Sequence, residues 1–271
     1  MTYLPRVAAA KSAEWCDLVD ELDRWEEAGR VAELWWRDDD AVAPTPALDR
    51  LLDVAAGVPL SLAVIPAEMV QELAAALCPF SRVSVLQHGW CHANRTSDYS
   101  GDGKKSEYPA ERHPLDVADE LDEGRQRLLS VFGSRVMPVF VPPWNRFSDR
   151  FVPLLEEAGI AVISQQAPRK NAPRQGVKQG VAAIDVHLDV VAWHEDRSFV
   201  GDAAALGRLL AELRARRETI DRAAIGVLTH HLVMDSATED FLARLGDTVA
   251  RHRGARWAGV AELMPRPAVA P

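Results

Sequence analysis

Cysteine is scarce in this 271-residue chain: only Cys16, Cys78 and Cys91 occur, an odd number with no C-x-x-C spacing. That argues against a disulfide framework and for a reducing compartment. Runs of Lys and Arg are lacking too. The 31 basic side chains against 40 acidic ones leave a net charge of −9, so neither nucleic acid nor an anionic membrane is expected as a partner. The opening stretch, MTYLPRVAAAKSAEW, has an apolar run too short for a signal-peptide core, and no stretch approaches the length of a membrane span. The expected location is the cytoplasm. Internal repeats and low-complexity tracts are also absent from the sequence.

What is abundant is apolar residue, 48% of the chain, enough for one large domain with a substantial core and in the size range of single α/β barrels. One domain over 1–271 is expected, with a tail over 265–271 and an opening helix over about 11–29, where Trp15, Leu18, Val19, Leu22 and Trp25 recur at helical spacing. This amphipathic helix would close a barrel floor or form a homodimer contact. Strand-like runs at 33–37, 59–65, 82–87, 136–141, 160–164, 182–191 and 225–229 alternate with helical patterns at 46–56, 67–77, 115–132, 149–158, 203–217 and 238–253. Such strands belong to a parallel sheet covered by helices, either closed as a barrel or open and doubly wound. Two polar stretches, 94–114 and 165–180, break the rhythm. In the first, Lys104, Lys105 and Glu107 are expected to face solvent.

The polar residues that interrupt the apolar pattern fall where strands end. The first strand runs into Asp38, Asp39 and Asp40, the third into His88 and His92, the fourth into Pro142, Pro143 and Trp144, and the seventh into His230 and His231. In parallel α/β folds that edge binds ligands. Three adjacent carboxylates repel one another unless a cation, hydrogen bonds or water compensate. Gly89 lets the chain turn, so that His88 and His92 can converge on one point. One carboxylate with two imidazoles is the ligand set of catalytic zinc and of non-haem iron.

Taken in order, these segments resemble the motifs of the polysaccharide deacetylases, the NodB-homology group of carbohydrate esterases (family 4), over roughly residues 36–235. The resemblance implies a single-domain α/β fold, an irregular (β/α)7-type barrel. It implies Asp39 as general base and Asp40 as metal ligand, with Asp38/Asp39 as the competing register. His88-Gly-Trp-Cys-His92 is similar to the motif that supplies two further ligands, with Gly89 replacing a hydroxyl residue. Phe140-Val-Pro-Pro-Trp144 is similar to an Arg-Pro-Pro-Tyr-type segment, but Val141 stands where the arginine that pairs with the base belongs. Arg37 and Arg146 are candidates for that arginine. Leu228-Thr-His230 matches the motif that provides the general acid, with His231 able to exchange roles with it; Asp185, Asp189 and Trp193 match the remaining motif loosely.

The implied activity is a metal-dependent hydrolase, using zinc or another divalent ion, that removes an acyl group from an N- or O-acylated sugar, sugar conjugate or related small amide. Trp90, Pro143, Trp144, Arg146 and His231 are its expected substrate-binding residues. Three alternatives remain: a barrel without turnover that binds carbohydrate, a hydrolase of a non-carbohydrate linear or cyclic amide, and an iron-dependent oxygenase. The βα alternation weighs against the last, which needs a jelly roll.

Overall fold

The computed structural model describes residues 12–99, 103–167 and 181–265. The expected tail past 265, most of the stretch 165–180 and the first residue of the expected opening helix lie outside the described residues. The strands are β1 (Ala32–Ala41), β2 (Leu60–Val64), β3 (Val83–His88), β4 (Val136–Val141), β5 (Val162–Ile163), β6 (Ala182–Ala183), β7 (Val186–Asp189), β8 (Ile225–Thr229) and β9 (Ala255–Trp257). They form one parallel sheet in the order β6-β5-β4-β3-β2-β1-β8-β7, with β9 added to the first residues of β1. The segment after β5 meets β7 through a parallel bridge, Gln166 to Val186, flanked by bonds from Val186 N to Gln165 O and from Ala167 N to Val186 O. This irregular junction curls the sheet into a barrel.

Period-two alternation sorts the strand residues between two cores. Leu34 and Trp36 of β1, Leu60 and Leu62 of β2, and Ile225 and Val227 of β8 belong to the layer under the helices. Trp35, Ala63, Leu86, Val139, Val162, Val186 and Leu228 fill the inside. The covering helices are α1 (Trp15–Glu27), α2 (Pro46–Val54), α3 (Glu72–Leu77), α4 (Pro114–Phe132), α5 (Val152–Glu157), α6 (Asp202–Thr219), α7 (Ser236–Arg251) and α8 (Val260–Leu263). Thr45 caps α2 by accepting from Leu48 N, and Asp235 caps α7 by accepting from Thr238 N, devices worth about 1 kcal/mol each. The apolar face of α1, with Leu18, Leu22 and Trp25, is buried within the chain. Glu21, fully buried beside it, takes Arg217 of α6 at 2.7 Å. No described helix is long and apolar enough to cross a membrane.

Some expected boundaries move, for physical reasons. β1 does not stop at Arg37 but pairs on through Asp38 with Leu62 and Thr229 and through Ala41 with Val64, with a register shift between. The run 182–191 is two strands, because β6 pairs with β5 whereas β7 pairs with β8. β9 was not expected; three residues after a glycine carry too short a pattern to read. The helical pattern at 67–77 keeps only its second half as α3.

Candidate metal centre and active site

The three aspartates of β1 have three different environments. Alternation puts Asp38 on the face of Trp36, toward the helices. There Thr229 Oγ1 accepts from Trp36 Nε1 at 2.9 Å and donates to Asp38 Oδ2 at 2.6 Å, while His231 Nδ1 lies 2.6 Å from Asp38 Oδ1. Asp39, one residue on, shares the inner face with Arg37, two residues before it. Arg37 Nε and Nη2 each stand 2.9 Å from one of its carboxylate oxygens, and both residues are buried. Arg37 Nη1 donates to Ser164 O and Oγ at 3.0 and 2.8 Å, and Nη2 also reaches Asn145 Oδ1 at 3.3 Å. Asp40 should return to the outer face, but its φ of +71 turns it toward β3.

β3 ends on His88, whose Nδ1 donates to Val141 O at 2.9 Å. That bond leaves Nε2 to face Asp40 Oδ1, at 3.1 Å. Gly89, with φ of +58, reverses the chain, and His92, with φ of +53, places its Nε2 3.4 Å from the same oxygen. The ligand atoms of Asp40, His88 and His92 all lie within 4.8 Å of one another. A tetrahedral zinc with bonds of about 2.0–2.1 Å has ligand-to-ligand edges of about 3.3 Å, and the 3.1 and 3.4 Å edges at Asp40 Oδ1 match it. Asp40, His92, Trp144 and Asn145 are all non-glycine residues at positive φ. Backbone held there costs of order 1–3 kcal/mol per residue and concentrates at functional sites.

Burial alone would raise the Asp40 carboxyl, yet the His88 hydrogen bond and the charges of His88, His230 and His92 hold it well below the usual carboxylate range. Burial lowers His88, but Asp39 and Asp40 outweigh it and raise the imidazole. His92 is lowered by burial and by its neighbour His88. An ionised carboxylate and a neutral imidazole are the forms in which these groups bind metals.

His230 stands across the site with Nε2 4.0 Å from Asp39 Oδ2 and the edge of Trp193 against its ring, at 4.6 Å between centroids. Asp189 accepts from Trp193 Nε1 at 2.8 Å and from Val191 N at 3.0 Å; burial raises its carboxyl, and His230 moderates the rise. His231, expected as a substrate contact, is 2% exposed and committed to Asp38, so it offers a ligand no surface. Of the two candidates for the missing arginine, Arg37 pairs with Asp39, whereas Arg146 donates to Lys105 O at 2.8 Å. Trp144 lies tilted against the His92 ring, 4.3 Å between centroids, Pro143 is buried beside Gly89, and Trp90 is half-buried. Glu107, expected in solvent with Lys104 and Lys105, is instead fully buried against the histidine loop. Ser164 and Asn145 were not anticipated; no local spacing links them to Asp39.

No family model matches the sequence, and no curated protein matches it. Solved structures do. A protein from Mycobacterium smegmatis, provisionally assigned as a polysaccharide deacetylase, superposes with a TM-score of 0.63 at 17% identity, over 90% of this chain and 95% of that one. A family 4 carbohydrate esterase from Streptomyces lividans, solved with acetate, gives 0.52 at 13% identity over 84% and 92%. A family 4 acetyl xylan esterase from Clostridium thermocellum, solved with a cobalt ion, gives 0.51 at 15% identity over 85% and 89%. The fold is therefore that of the polysaccharide deacetylases. At these identities the chain is a divergent example of it.

Proposed function

We propose that this chain is a metal-dependent hydrolase of the deacetylase type, a divergent relative of the family 4 esterases, acting on an N- or O-acylated sugar or a related small amide. One observation carries the reading: Asp40, His88 and His92 converge on a single point while an arginine-clamped Asp39 and His230 face each other beside it. Asp40 Oδ1 and the Nε2 atoms of His88 and His92 would hold zinc or another divalent cation. When bound, such an ion acidifies water and polarises the acyl carbonyl.

The chain's own groups do the rest. Arg37 keeps Asp39 oriented so that its carboxylate takes the proton of the attacking water. His230, as imidazolium, gives a proton to the departing nitrogen or oxygen; each such transfer contributes roughly 10²–10⁴ in rate. The exposed part of Trp193 and the ring of Trp144 are apolar surfaces against which an acyl methyl or a sugar ring can pack. Val141, standing where the family's arginine belongs, is the residue that keeps a barrel without turnover as an alternative. The pairing of Arg37 with Asp39 supplies the contact that Val141 cannot make, which supports turnover over simple binding. Asp39→Asn tests this: the variant should retain metal and lose at least about 100-fold in acyl release from acetylated sugars and small amides. An unchanged rate would remove Asp39 from the chemistry.

A further inference from the structure

Between the two histidines lies a carboxylate that this chemistry does not use. Glu107 is fully buried; its Oε1 accepts from Cys91 N at 2.7 Å and its Oε2 from Trp90 N at 3.2 Å. Among the described residues no cation pairs with it. Arg112 directs its guanidinium to Glu120, at 2.7 and 2.8 Å, and reaches only the backbone carbonyl of Glu107, at 3.3 Å. Successive backbone N–H groups gathered by left-handed residues form a concavity suited to an anion. Gly89 and His92, at φ +58 and +53, bracket the two N–H groups that bind this carboxylate. Gly89 also makes the room. A Cβ there would lie 2.0 Å from Glu107 Oε2 and 2.6 Å from Pro143 Cγ.

The two imidazoles do not need this support equally. His88 is fixed by strand pairing with Val141 and by its bond to the Val141 carbonyl. His92 lies beyond the strand in a left-handed conformation, so its placement depends on the loop. The Glu107 segment is itself tied to the far end of that loop, since Arg95 N donates to Ser106 O at 2.8 Å and Ser106 N to Asn94 Oδ1 at 3.2 Å. We infer that Glu107 is the positioning residue of the metal centre: its carboxylate clamps the backbone between His88 and His92 so that both imidazoles reach one ion with Asp40. Gly89 is required because Glu107 fills the space of its side chain. This inference rests on the metal-centre reading above.

The test is a competition titration of the metal-free full chain with Zn²⁺, together with its thermal melting and the visible spectrum of its Co²⁺ form. Glu107→Ala should weaken zinc binding roughly 10- to 100-fold, the usual effect of losing a group that orients a ligand, and alter the cobalt band. The isosteric Glu107→Gln keeps one acceptor but turns an amide N–H₂ toward a backbone N–H, and should lose about tenfold; it carries the test if Glu107→Ala does not fold. Gly89→Ala attacks the same contact from the other side, and the double variant should bind no more weakly than the weaker single. Zinc binding within about twofold of wild type in both Glu107 variants, with only the melting point lowered, would make Glu107 structural and overturn the inference. Absence of zinc uptake by the wild-type chain would instead refute the metal centre itself, and the inference with it.

Discussion

Replacing Arg37 gives the most direct measure of how the site is held. Arg37 is fully buried and meets Asp39 through two 2.9 Å contacts. Arg37→Met removes the cation but keeps much of the volume, leaving Asp39 a buried charge without its partner. Breaking a buried pair in this way costs about 3–5 kcal/mol, or roughly 6–15 °C in melting temperature at about 2–3 °C per kcal/mol for a domain of this size. Part of that cost comes from Ser164 and Asn145, which lose donors. A double-mutant cycle with Asp39→Asn separates the terms, because the losses at Ser164 and Asn145 occur in every variant lacking Arg37 and cancel from the coupling. The coupling should be favourable by about 2–3 kcal/mol, since removing both charges together is far less costly than removing either. Denaturant unfolding of metal-free protein reads it without contributions from bound ion. Single-variant costs that add to within about 0.5 kcal/mol would show that Arg37 does not act through Asp39, and the reading of Arg37 as the clamp would fail.

Three other outcomes follow from the same geometry. His88→Ala should yield a folded chain that takes up no zinc, and metal retained at wild-type stoichiometry would refute the ligand assignment. Asp38→Asn should lower the melting point yet retain zinc, whereas Asp40→Asn should release it; zinc kept by Asp40→Asn and lost by Asp39→Asn would restore the competing register. In metal-free protein, burial lowers His88 and His231, but Asp39 and Asp40 raise the first above 6.5 and Asp38 raises the second. The folded chain then keeps protons that the unfolded chain releases first, so stability present at lower pH is lost as pH rises through the raised values. His92, shifted down, adds its dependence only below 6.5. The urea midpoint should therefore fall as pH rises above about 6.5, and a rising midpoint there would contradict the assignment.

The strand and helix pattern was largely legible because a parallel barrel writes its layers into sequence as apolar runs followed by periodic helices. The convergence of Asp40, His88 and His92 as a candidate metal cluster was legible for a local reason: His88 and His92 lie four apart across a glycine, and Asp40 closes an apolar strand. Glu107 was misread because nothing near it in sequence distinguishes a carboxylate that folds back onto Trp90 N and Cys91 N from one in solvent. His231 was misread for a related reason. Its neighbour His230 faces the site, and only the pairing of β1 with β8 shows that the next residue meets Asp38 on the helix side.

The arginine is the instructive case. Val141 looked like a loss, since its strand offers Asp39 no cation, yet a replacement stood two residues before Asp39 in the same strand. Residues i and i+2 share a face, so an Arg-x-Asp sequence entering the barrel interior places its two charges side by side without help from any other strand. The same rule explains why three consecutive aspartates are tolerated. Alternation sends Asp38 to His231 and Thr229 and Asp39 to Arg37, and the left-handed turn at Asp40 breaks the alternation to send the third to His88 and His92. A straight strand would have put Asp40 back beside Asp38, two carboxylates on one buried face, and left the histidine pair without its acid. The strain at Asp40 is thus what converts a repulsive run of charge into a structural pair, a clamped carboxylate and a candidate metal ligand.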